Sequence, residues 1–218
     1  MSMAEQTAGL KAFIELLETV ADNKYVLGDR LVEVGVSGPN LEATLSAIAM
    51  AQGELGHARL LYNWTFDLKG HKGKKPNIEK QTGKAFKGVE EVHNWISLIA
   101  ALFTVNTAMD LVLKSVLEAN HAEIATRVNK LLREQKEHII YSRNWAQQLL
   151  KDRGAVPRKF KEALDQIIPE VEAWIKAIEQ KTELVDEGYI SRESYLYQKF
   201  HHKLKEVFIQ ELTGVESA

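Results

Sequence analysis

Glu54 and His57 stand three residues apart within GELGHARLLY, on a helical stripe that otherwise reads Ala43, Ala47, Met50 and Leu61. Glu-x-x-His on the buried face of a helix is how four-helix bundles build carboxylate-bridged dimetal centres, one copy on each of two helices. A second polar break falls at His138 in REQKEHIIYSRNW, among Leu131, Tyr141 and Trp145. The position three residues before that histidine holds Gln135 where the motif wants Glu, while Glu134 lies on a nearby face and could partly substitute. The chemistry open to these residues is metal binding, and charge decides whether it survives.

The elements that must position them are helical throughout, because apolar residues recur at helical spacing and β-branched alternation is scarce. A first helix over about 4–34 carries Leu10, Phe13, Leu17, Val20, Lys24, Leu27, Leu31 and Val34 on one stripe. The turn GVSGPN ends it, and Asn40 can cap a second helix over 41–68. A basic, glycine-punctuated crossover, 69–88, then leads to a third helix over 89–118, with Val92, Trp95, Ile99, Leu102, Asn106, Met109 and Leu113 inward. A tight link at Asn120 precedes a fourth helix over 123–151. Pro157 opens a fifth segment, which Pro169 bends or restarts; Gly188 stops it, and Ser191 caps a last helix ending near 212. The expected fold is all-α and a single domain over 1–218, with a core bundle over 4–151 and C-terminal helices over 157–212. Antiparallel helices with one long crossover between helices two and three are the ferritin-like arrangement.

Short links make hairpins of helices one and two and of helices three and four, so residues equidistant from a turn share a height. Glu54 lies about sixteen residues past Gly38, level with 22–24 on the first helix. Residues 134–138 lie about fifteen past Asn120, level with Asn106. Each stripe has its polar break at that height: Lys24, Glu54/His57, Asn106 and Gln135/His138. A dimetal centre carries about four positive charges, offset in such bundles by roughly four carboxylates and two imidazoles. Here one helix offers a cation and two offer neutral amides. A Lys24–Glu54 ion pair would neutralise the cluster without metal, unless Lys24 extends along its stem to water. Asp22 points away from the stripe centre and is a poor ligand.

Composition narrows the remaining classes. A formal charge of −2 and a pI near 6.4 argue against nucleic-acid or membrane-surface binding. The absence of cysteine excludes disulfides and thiolate sites. The N-terminus has no signal-peptide pattern, and the most apolar stretch, 95–105, is too short to span a bilayer. A cytoplasmic protein is expected.

These residues also carry a resemblance. The run VADNKYVLGDRLVEVGVSGPNLEATLSAIAMAQGELGHARLLY is similar to the opening hairpin of the phenylacetyl-CoA epoxidase subunits, the ferritin-like phenylacetate-degradation family. KLLREQKEHIIYSRNW and LFTVNTAMDL resemble that family's fourth- and third-helix segments, so the likeness covers about 10–155. It implies a di-iron catalytic subunit that epoxidises an aromatic CoA thioester, and a homologous partner that keeps the fold but has lost ligands. Glu54, His57 and His138 match the ligand pattern. Lys24, Asn106 and Gln135 depart from it where carboxylates are needed, which places this chain nearer the structural subunit. The expected partners are the catalytic subunit, a second copy of this chain, or both.

The alternative is an oxygenase or oxidase with one or two metals held by Glu54, His57, Glu134 and His138. Two histidines and one carboxylate suit a single iron, manganese or zinc. Little bound metal is expected on the structural reading, and iron storage is disfavoured because few acids converge on the core. The basic crossover is either a solvated loop or a site for CoA phosphates or an acidic partner. His71, His93, His121, His201 and His202 show no ligand spacing, and Trp145 and Trp174 read as packing residues. Tyr195, Tyr197, Phe200 and Phe208 form an interface or close the bundle.

Overall fold

Thr7 opens the first helix: its hydroxyl accepts from the Leu10 N–H at 3.1 Å, and α1 runs Ala8–Glu33, starting later than its apolar pattern suggests. This computed structural model describes residues 6–119 and 121–213, so the link expected at Asn120 lies outside the described residues. After a 3-10 turn over Gly35–Ser37, the Asn40 side chain accepts from the Ala43 N–H at 2.8 Å, and α2 covers Leu41–Leu68. The expected third helix is two: a short α3, Lys87–Glu90, and α4, Trp95–Glu118. Asn94 and Ser97 exchange side-chain and backbone hydrogen bonds in a capping box, which restarts the chain in a new direction.

The remaining elements are α5 (Ala122–Lys151), α6 (Val156–Gln180), α7 (Thr182–Asp186) and α8 (Leu196–Thr213). Pro157 sits in the first turn of α6, where its missing N–H costs nothing. Pro169 lies inside that helix without ending it. Ser191 does not cap α8, because the helix begins five residues later, after Tyr195 at φ 43; the Ser191 N–H donates instead to the Ser115 backbone oxygen at 3.1 Å. No strand occurs among the described residues.

α1 and α2 form one antiparallel hairpin, and α4 and α5 the other. Tyr141 donates to the Ala43 carbonyl at 3.2 Å near one end, and Arg127 meets Asp67 at 3.0 Å near the opposite end, so α2 and α5 run antiparallel. α6 packs along α4, and α8 closes against α4, α5 and α6. Phe200, offered as an interface residue, is fully buried there, whereas Tyr195 is exposed. α4 is the central apolar helix. It continues well past residue 105, long and apolar enough to cross a bilayer by length and composition, and it is mostly buried inside the bundle.

The crossover is held in place by three polar residues of α1, Glu18, Asp22 and Asn23. Asp22, fully buried, accepts from the Thr82 N–H at 2.9 Å, the Thr82 hydroxyl at 2.8 Å, the Lys84 N–H at 2.7 Å and the Tyr62 hydroxyl. Asn23 accepts from the Phe86 N–H at 2.9 Å. Glu18 pairs with Lys84 at 2.8 Å and with Lys69. Burial would raise the Glu18 carboxyl, but the two lysines outweigh it and hold the group below its ordinary 4.5. A lowered carboxyl stabilises the fold above its unfolded value, and that contribution is lost as pH falls through the folded value. Glu18→Gln should therefore lower the melting temperature at pH 7, corresponding to about 1 kcal/mol for a partly screened pair. The gap between the two thermal melts should begin to close as pH falls below about 4.5 and vanish below the lower folded value; a gap that persists in strong acid would show that the charge is not the cause.

Candidate functional site

Lys24, Glu54, Asn106 and Gln135 meet at one height, from α1, α2, α4 and α5, and all four are fully buried. The Lys24 Nζ donates to Glu54 Oε2 at 2.8 Å, to Gln135 Oε1 at 2.6 Å and to Asn106 Oδ1 at 3.4 Å. An ammonium has three hydrogens, and each finds an acceptor here. Gln135 Nε2 donates to Asn106 Oδ1 at 2.9 Å, and Asn106 Nδ2 donates to Glu54 Oε1 at 2.9 Å. The ring of bonds closes, so Lys24 lies in the core and does not extend to water.

His57 and His138 flank this ring with centroids 5.3 Å apart. Glu54 Oε1 also takes a hydrogen bond from His138 Nδ1 at 2.7 Å, which fixes the proton on that nitrogen. The other ring nitrogen lies against α2: a Cβ on Gly53 would sit 2.6 Å from His138 Nε2. Glycine is what lets the imidazole pack there. His57 Nε2 is 2.9 Å from Glu134 Oε2, and Glu134 reaches in from a side chain that is 42 % exposed. Burial and the nearby Lys24 charge push the His57 imidazole down to about 4. It is thus neutral at neutral pH, donates from Nε2 to Glu134, and leaves a lone pair on Nδ1, which is buried with no partner.

Burial alone would raise the Glu54 carboxyl, but the Lys24 charge and the His138 hydrogen bond outweigh that and hold it far below the usual carboxylate range. Its two oxygens already serve three donors. Two divalent ions do not fit this set, since Glu54 is the one carboxylate inside the ring, two facing positions are amides, and an ammonium adds positive charge. Glu54, His57 and His138 do each offer a donor atom within 4.8 Å of the others, a buried group that could hold one metal ion. Glu134 stands outside that trio at the rim. Asp22 is committed to the crossover and to Tyr62 of α2, a role invisible in helical periodicity because its backbone donors belong to a loop.

Removing one member of a buried pair strands the other, at a cost of roughly 3–5 kcal/mol. Lys24→Met and Glu54→Leu should each destabilise on that scale, while the double variant recovers a coupling of about 1–3 kcal/mol. Urea denaturation of the four proteins measures this, and simply additive losses would show that the two residues are not a pair.

No curated protein matches the chain. The family model described as phenylacetic acid catabolic protein matches residues 2–214. The match spans both helix hairpins, the anchored crossover and the C-terminal helices, and the chain belongs to the phenylacetic acid catabolic protein family.

Proposed function

We propose that this protein is a structural, non-catalytic component of a multicomponent ring-oxygenating complex in phenylacetate catabolism, with a degenerate di-iron site at its centre. The observation that carries the reading is the Lys24 ammonium, 2.8 Å from Glu54 and enclosed by Gln135 and Asn106. A buried cation already occupies the charge balance that two ferrous ions would need. The polar ring ties four helices to one register, which suits a rigid scaffold for a homologous catalytic subunit acting on an aromatic CoA thioester.

A surface for such a partner, or for a second copy, is offered by α2. Its outer face exposes Leu41, Leu45 and Ile48, with Val32 and Val36 beside them at the hairpin end. Apolar groups clustered in the open favour association. A role in phenylacetate catabolism supports a cytoplasmic protein.

One observation favours a second reading, a metal-dependent oxygenase or oxidase with a single ion. The His57 Nδ1 lone pair is buried and unpartnered, and it belongs to the Glu54, His57, His138 trio. Holding an ion through His138 Nδ1 would require that nitrogen to give up the proton it shares with Glu54.

Elemental analysis of freshly purified protein, before and after chelator dialysis, separates the two. The scaffold reading predicts iron, manganese and zinc far below stoichiometric, unchanged in His57→Ala and His138→Ala variants. Stoichiometric metal that survives dialysis and disappears in those variants would overturn the scaffold reading and favour the second.

A further inference from the structure

The basic crossover contains cations of two kinds. Lys69 and Lys84 are committed to Glu18, and Lys75 to Asp67 at 2.7 Å. Arg59 and Lys74 have no anionic partner among the described residues. Both line a cavity of about 810 Å³, between the outer face of α2 and the loop, together with Tyr25, Leu55, Asn63 and Ile78.

The cavity is built by fixed parts. Leu55, Arg59 and Asn63 follow at four-residue intervals on α2, so they line one wall. Leu55 nests against α1 because Gly28 has no side chain: a Cβ there would come within 2.6 Å of Leu55 Cγ. The opposite wall is the loop, pinned by the Lys75–Asp67 pair and by the Tyr25 hydroxyl, which donates to the Glu79 carbonyl at 3.2 Å. Leu55, Ile78 and the Tyr25 ring supply the apolar lining, Arg59 and Lys74 supply two unpaired positive charges, and Glu79 is the sole acid among the lining residues.

We propose that this cavity binds an organic phosphate monoester, with the phosphate between Arg59 and Lys74 and an apolar or aromatic body against Leu55, Ile78 and Tyr25. The charges are opposite in sign: a phosphate monoester carries about −1.5 to −2 at neutral pH, against two free cations and the single lining acid Glu79. A guanidinium presents paired N–H groups suited to phosphate oxygens, and an ammonium serves as a point charge beside it. The volume falls within the ordinary range for small-molecule sites and exceeds what a phosphate alone would fill. This site lies on the outer side of the α1–α2 hairpin and does not depend on the metal content of the polar ring.

Isothermal titration of the full-length protein with AMP, inorganic phosphate and adenosine tests the assignment. AMP should bind at one saturable site, more tightly than either fragment. The Arg59→Ala/Lys74→Ala variant, altered only at exposed positions, should keep its melting temperature and bind AMP at least about tenfold more weakly, as loss of charged hydrogen bonds requires. Lys203→Ala, remote on α8 and paired with Glu206, should bind as the parent does. Absence of saturable AMP binding, or unchanged affinity in the double variant, would overturn the proposal. Inorganic phosphate binding as tightly as AMP would overturn the role of the apolar wall, and adenosine binding as tightly would overturn that of the two cations.

Discussion

A charge buried at the centre of a helical bundle must be balanced within the bundle, and here the balance is struck by Lys24 against Glu54. Two ions at 2.8 Å with no exposed surface would be costly if their remaining hydrogen-bonding capacity were unmet. It is met: the amides of Gln135 and Asn106 supply the other acceptors for the ammonium, and Asn106 and His138 supply donors to the carboxylate. Such a network constrains register, because sliding α1 or α2 by one turn would leave a charge unpaired in the core, and sliding α4 or α5 would leave that pair short of hydrogen-bond partners. The apolar packing around it is less selective, since Leu and Ile tolerate rearrangement far better than an ion pair does.

The same constraint explains the chemistry available. Where a dimetal bundle needs carboxylates from each helix, this chain presents a cation and two amides. It retains Glu54, His57 and His138, which stay close enough to act together. Glu134 reaches only His57, from the rim. A family ordinarily linked to phenylacetate breakdown is thus represented by a member whose central polar layer is neutral without any ion.

The height at which these residues meet was legible from the sequence, because distance from a tight turn sets level in a helix hairpin. The pairing of Lys24 with Glu54 was foreseeable as an option, but lysine has a long apolar stem, and spacing alone does not separate a core ammonium from one reaching water. The proton positions on His57 and His138 depended on partners that only the fold reveals. Asp22 points away from the polar layer, as its helical position implies; its service to Thr82 and Lys84 has no sequence signal because loop contacts have no period. The split between α3 and α4 had a readable signal in Asn94 and Ser97, masked by the apolar stripe that runs across it. The start of α8 had none, since Ser191 is diverted to Ser115 by tertiary contact.

The central claim is that an ammonium holds the place of metal beside Glu54. Anomalous diffraction at the iron edge, from crystals grown with excess ferrous iron, tests it most directly. No ordered metal peak bonded to Glu54 is expected, with density for Lys24 Nζ within hydrogen-bonding distance of that carboxylate and of Gln135. A pair of iron peaks between α2 and α5, with the Lys24 side chain displaced from the ring, would contradict it.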